Sequence, residues 1–227
     1  MKKITQKELI EKKEWNTLII LDSCRYDYFK IYNTIPGKLS KVYSLGHNTI
    51  TWFRNTFDSY YDAVYFSANP LINSLGKHNP QCDILGAECI IEAPSRFRKI
   101  IDVWDFGWSK QFKTVPPWEV NMAVLTHPVP PTSRTIIHYL QPHHPFIGSN
   151  VPLRDSYLKA SRKEYIKGYV SNLQIVIKAV ERLIPHLKPP IIITSDHAES
   201  LGGRFRAGDH SKDAYFLHIV PWLEVEI

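Results

Sequence analysis

Two short apolar runs, each ending on an aspartate, constrain this chain more than any other feature. "WNTLIILD" runs from Trp15 to Asp22, and "PPIIITSD" from Pro189 to Asp196. Unbroken Leu and Ile leave no polar face for solvent, so each run suits a strand covered on both sides, as in a parallel sheet. Parallel strands need crossover connections, usually helical. The clearest helix pattern is Arg162–Leu187, where Ile166, Tyr169, Val170, Leu173, Ile177, Val180 and Ile184 follow three- and four-residue steps. Pro189 and Pro190 end it.

The rest of the chain follows the same alternation. Thr5–Lys13 reads as a short surface helix, and "RYDYFKIYN", "NTITWFRNTF" and "WEVNMAVLTH" as further helices. "KLSKVYS", "AVYFSANP", "ECIIEA", "RTIIHYL" and "IVPWLEVEI" read as strands. The expected fold class is α/β, a three-layer α/β/α sandwich with a largely parallel central sheet. A length of 227 residues fits one domain, 1–227. The segment at about 73–117, with Gly, Pro, His and Trp, is expected as a cap or insertion over the site. Trp52, Trp104, Trp108 and Trp118 are expected in core and cap packing.

Composition excludes several function classes. The net charge is +6, but the basic residues are scattered, with no RNA-recognition motif, zinc finger or arginine-rich run. A nucleic-acid partner is therefore not expected, whereas a mildly basic surface suits an anionic small molecule. No stretch approaches the roughly 18 apolar residues of a transmembrane helix. The N-terminus lacks the apolar core of a secretory signal. Three cysteines, Cys24, Cys82 and Cys89, form no CxxC pair, which suits a reducing compartment. The expected location is cytoplasmic; oligomeric state has no sequence signal.

In open parallel sheets, ligands bind at the carboxyl ends of strands. Three strands here end in reactive groups: Asp22, the Gln141–His144 turn, and Asp196–His197. Two carboxylates and an imidazole suit Zn²⁺ or Mn²⁺, and less well Ca²⁺ or Mg²⁺. The alternative for Asp22 is a cap on the helix at "SCRYDYF", and for Asp196 a cap on a short helix at His197–Leu201. Arg25 and Asp27 are expected to pair, Cys24 to be buried, His138 to be a core histidine, and His144 to be exposed. Glu199 reads equally as a ligand or as an acid at the surface or behind the ligands.

These stretches resemble the alkaline phosphatase and sulfatase superfamily. "LIILDSCRYDYF" is similar to its first metal motif, "IIITSDHAESLGG" to its "TSDHGE-x-LG" motif, and "HYLQPHHPF" to its "PH-x-P-F/Y" turn. "GDH", ending at His210, stands where the family carries a late metal or substrate histidine before a final strand. The motifs keep the family's order from Asp22 to the C-terminus. The resemblance implies a metal-bound nucleophile at a helix start, and within "SLGHNTITWF" Thr49 fits best, with Thr51 and Ser44 behind it. An N-cap or surface hydroxyl is the other reading of Thr49. The implied metal set is Asp22, Thr49, Asp196, His197 and His210, with His143 catalytic and His143 and His210 touching substrate. One ion is expected over two, because Gln141 and Pro142 occupy the turn where a further Asp would stand.

No Cys or Ser stands in the C/S-x-P-x-R pattern that sulfatases convert to formylglycine. The resemblance therefore implies a metal-dependent hydrolase or transferase acting on a phosphate ester, mono- or diester, free or linked to a glycan or lipid. Two rivals are a sulfate-ester hydrolase and a metal-stabilised binding module without catalysis. The second arises because 227 residues is short for the superfamily.

Overall fold

The structure is a computed structural model that describes residues 3–76, 92–148, 160–203 and 206–226. Its strands are β1 (Thr17–Leu21), β2 (Gly37–Tyr43), β3 (Tyr61–Ser67), β4 (Phe97–Asp102), β5 (Arg134–Tyr139), β6 (Ile191–Thr194) and β7 (Ile219–Val225). They form one sheet in the order β2-β7-β6-β1-β5-β3-β4. β7 is antiparallel to both of its neighbours, and the other strands share one direction. The helices are α1 (Gln6–Lys12), α2 (Tyr26–Tyr32), α3 (Thr49–Thr56), α4 (Pro117–Thr126) and α5 (Arg162–Leu183), with single helical turns at Ala93–Arg96 and Val103–Phe106.

The apolar runs explain the layering. All of β1 is buried, and its side chains alternate between two cores. Ile19 and Leu21 join Phe29 of α2, Val120 and Ala123 of α4, and Leu173, Val176, Ile177 and Val180 of α5. Leu18 and Ile20 join Ile10 of α1 and Trp52 and Phe53 of α3. Ile193 and Ile192 of β6 divide in the same way. Each fully buried Leu or Ile contributes roughly 1.5–3 kcal/mol relative to exposure. The three-layer α/β/α expectation therefore holds.

The ends of the helices follow from local chemistry. Thr5 and Ser161 each accept from the backbone N–H three residues on, while Glu8 and Glu164 reach back to close capping boxes at α1 and α5. Asn48 caps α3, accepting from the Thr51 N–H at 2.9 Å. This places Thr49 as the first helical residue.

Of the segment at about 73–117, residues 77–91 lie outside the described residues. Phe97–Asp102 is an edge strand paired with β3, with Arg98 and Lys99 exposed, charges that discourage further pairing at a sheet edge. In "ECIIEA", residues 88–91 lie outside the described residues, as do Cys82 and Cys89, and Ala93 opens a helical turn rather than continuing a strand. Trp52 is buried and Trp104 packs against the core. Trp108 and Trp118 are 38% and 43% exposed; they line a surface hollow of about 300 Å³ with Phe106 and Phe112.

Candidate metal centre and active site

Register brings the site residues together. β1 lies between β5 and β6, with Ile20 level with His138 on one side and Thr194 on the other. Residues level across a sheet share a face, and so do residues two apart along a strand. His138, Asp22 and Asp196 therefore gather on the α3 side at the carboxyl end of the sheet. Ligand atoms of these three lie within 4.8 Å of one another.

Asp22 and Asp196 cap no helix. Helix α2 begins after Arg25 without a side-chain cap, and residues 197–201 are not helical. Ser23, between Asp22 and Cys24, adopts φ +62°, an uncommon backbone for a residue with a side chain. That turn aims the Ser23 N–H at Asp196 Oδ1, 3.0 Å away. The His197 N–H donates to the same oxygen at 2.8 Å. Thr49 Oγ1 donates to Asp196 Oδ2 at 2.8 Å. Ser44, behind Thr49 in the sequence reading, instead donates to the Asp196 backbone carbonyl, and Thr51 bonds Asn48. Of the three hydroxyls considered, Thr49 is the one bonded to a cradle carboxylate.

His197 Nε2 lies 3.4 Å from Asp196 Oδ2 and 3.7 Å from Asp22 Oδ1. Asn69, beyond β3, donates its amide to Asp22 Oδ2 at 2.9 Å and approaches Thr49 Oγ1 at 3.4 Å. The Leu71 N–H bonds Asn69 Oδ1, which turns the NH₂ toward the carboxylate. His138 is the buried, hydrogen-bonded core histidine expected, with Tyr65 Oη 2.8 Å from Nδ1; its Nε2 has no hydrogen-bond partner among the described residues and lies 4.0 Å from Asp196 Oδ2.

The electrostatics are those of a buried cation site. Burial, with Asp196 opposite, pushes the Asp22 carboxyl well above the usual range. Burial opposes ionisation of Asp196 too, but His197 and His138 hold its carboxyl below the usual value. Burial lowers His138 to about 4 against the pull of Asp196. His197 falls to about 4 for the same first reason, with Asp196 opposing and His210 assisting. Two facing carboxylates and two imidazoles lowered to about 4, one of them with a buried Nε2 that has no partner among the described residues, are a donor set that fits a divalent cation.

The predicted histidines form a second group beside this cradle. The rings of His197 and His210 are 4.6 Å apart, and those of His143 and His210 are 5.8 Å apart. His210 Nε2 meets Glu199 Oε1 at 2.5 Å. Burial alone would raise the Glu199 carboxyl, but His210, with His143 and His144, draws it down to about 2. Burial lowers His210, and the Glu199 charge and hydrogen bond overcome it and raise it. Glu199 is thus a buried anchor for the histidines and not a surface acid. His144, expected exposed, is half-buried and stacked on His143 at 4.1 Å. Gln141 donates to Thr114 Oγ1 and the Val115 carbonyl. Arg25 and Asp27 pair as expected, at 2.7 Å, and Cys24 is buried. Asn69 and His138 also border the cradle, though the sequence did not single them out for it; the β1–β5 register places His138 there.

Neither a family model nor a curated protein matches the sequence. Solved structures do match the fold. The soluble domain of lipooligosaccharide phosphoethanolamine transferase A from Neisseria meningitidis superposes with a TM-score of 0.59 at 12% identity, covering 91% of this chain and 75% of that one. The C-terminal periplasmic domain of EcEptC from Escherichia coli, in complex with Zn, gives 0.59 at 13% over 92% and 72%. The 2-O GAG sulfatase BT1596 gives 0.57 at 11% over 98% and 64%. The EcEptC domain is periplasmic, so the fold does not carry the cytoplasmic expectation. Among the described residues, no helix is long and apolar enough to cross a membrane. This chain shares the fold of the phosphoethanolamine transferase A soluble domain, the EcEptC domain and the 2-O GAG sulfatase.

Proposed function

We propose that this chain is a single-domain, metal-dependent enzyme that transfers or hydrolyses a phosphate ester, with Thr49 as its nucleophile. The observation that carries the reading is the 2.8 Å bond from Thr49 Oγ1 to Asp196 Oδ2, made at the first residue of α3 beside Asp22, His138 and His197. Asp22, Asp196, His197 and His138 would hold the ion, Zn²⁺ or Mn²⁺ by the mixture of donors. A divalent cation bound there acidifies a neighbouring hydroxyl and neutralises charge on the ester oxygens.

The chain's own groups supply the rest. Asp196 Oδ2 accepts the Thr49 hydroxyl bond and so points its oxygen into the cradle. Helix α3 begins at Thr49, so the positive end of its dipole favours the developing alkoxide. Asn69 steadies Asp22 and stands 3.4 Å from the same hydroxyl. Beside the cradle, His210, whose protonated form the Glu199 charge and hydrogen bond favour against burial, and His143 would meet the transferring group and the leaving oxygen, where positive charge and a proton assist departure. Water or an acceptor alcohol then takes the phosphoryl group from Thr49.

One of the structural neighbours is a phosphoethanolamine transferase by name, one is the EcEptC domain in complex with Zn, and the third is a sulfatase. Phosphate is preferred over sulfate because the residue opening α3 is Thr, and formylglycine is made from Cys or Ser. Turnover of mono- and bis-aryl phosphates with added Zn²⁺ or Mn²⁺ tests this. The wild type should turn over one of them, and Thr49→Ala should bind metal yet be inactive. Turnover of an aryl sulfate but no aryl phosphate would favour the sulfatase reading, and no turnover of either would favour a binding module.

A further inference from the structure

A second group of ligands lies outside the cradle and shares no residue with it. His218 ends a 3-10 turn at Tyr215–His218, just ahead of β7, and is 6% exposed. Its Nδ1 lies 2.8 Å from the Ser44 carbonyl, so Nδ1 carries a proton, and Nε2 is turned toward Asp213, where an ion would replace the proton that the two share. The Tyr43 ring stacks on the imidazole at 4.6 Å and an interplanar angle of 4°, which fixes the ring plane. Asp213 Oδ1 stands 2.6 Å from Nε2, and the His47 ring is 6.3 Å from that of His218. Ligand atoms of His47, Asp213 and His218 all lie within 4.8 Å of one another.

We propose that His47, Asp213 and His218 form a second divalent-cation site, of the zinc class, that fastens the loop leading to Thr49 onto the start of β7. Two imidazoles and one carboxylate are a common zinc set with a position left for water. A ligating histidine ordinarily donates its other N–H to a carbonyl or carboxylate, which fixes the tautomer and orients the ring. The Ser44 carbonyl fills that role for His218. The Asp213 side chain is 65% exposed, which gives an ion a path from solvent. The consequence is local: the ion joins His47, two residues before Thr49, to the segment 213–218.

Zinc content after loading and desalting, by mass spectrometry, tests the site in four proteins: wild type, Asp213→Ala, Asp196→Ala and the double variant. Asp213 is exposed, so its truncation leaves the core intact. Asp213→Ala should lose one equivalent of zinc relative to its parent in both backgrounds. Cobalt substitution in the Asp196→Ala protein should give a tetrahedral visible spectrum that the double variant lacks. His47→Asn provides a second variant with the same expected losses. Unchanged zinc on adding Asp213→Ala to either parent overturns the proposal. If Asp196→Ala loses no zinc while Asp213→Ala does, the cradle reading fails and the second site stands.

Discussion

Gly46→Ala gives a structural measure of how closely Thr49 is positioned. A Cβ at Gly46 would lie 2.0 Å from the Trp52 backbone nitrogen and 2.3 Å from its Cα, whereas real Cβ atoms essentially never come within 3.0 Å of another atom. The obstructing atoms are backbone, so no rotamer change relieves the contact. Opening 2.0 Å to 3.0 Å moves the first turn of α3 against the loop by about 1 Å. Thr49 belongs to that turn, and its 2.8 Å bond to Asp196 does not survive such a shift within hydrogen-bond range. Overpacking of this kind costs about 1–3 kcal/mol, a fall in Tm of roughly 2–12 °C for a domain of this size. A misplacement of about 1 Å costs on the order of 10²-fold in rate. The assay is kcat on the best aryl phosphate at saturating metal, with a thermal melt of the same samples. The expected result is a folded, moderately destabilised protein with kcat down about 100-fold. A variant within about threefold of wild type in kcat, with an unchanged melt, would show that Gly46 does not set the position of Thr49.

Three further outcomes follow from the same geometry. Asp196→Ala should remove the ion held by the cradle, read as one equivalent fewer by metal analysis; full retention contradicts the ligand assignment. Asn69→Ala removes a donor to a buried carboxylate and should cost about 1–3 kcal/mol in a urea melt; an unchanged midpoint would show that the bond contributes nothing. Glu199 is held at about 2 from 4.5, a depressed value worth about 3 kcal/mol. That stability is present above about pH 4.5 and lost as pH falls toward 2, so Glu199→Gln should flatten this part of the stability profile. A variant that keeps the wild-type acid slope would count against the Glu199–His210 pairing.

Much of this fold was legible because its central strands are covered on both faces. β1 and β6 read as continuous Leu and Ile, and α5 reads as a clean stripe, since in both cases burial alone dictates residue type. Asp22, Asp196 and His197 stood out because ionisable groups directly after a buried strand need a partner or a ligand. β4 was not legible: its buried and exposed positions do not alternate, and edge strands carry charge for reasons other than local structure. His138 reads as a core residue and is one; its place beside Asp22 and Asp196 was not legible because it depends on a register with Ile20 that only the folded sheet sets. Asn69 sits in a turn, where Asn is ordinary. Glu199 was ambiguous because loop residues 197–201 have no periodicity to report burial. Trp108 and Trp118 misled in the opposite direction, since an aromatic ring carries no sequence mark of being left at the surface.

The central claim is that Thr49 takes the phosphoryl group. Trapping the metal-loaded protein with an aryl phosphate during turnover, followed by peptide mapping of the modified residue, tests it most directly. A phosphoryl adduct on Thr49, absent from Thr49→Ala, is the expected result. An adduct on His143, His210 or any other residue, or turnover that persists in Thr49→Ala, would contradict it.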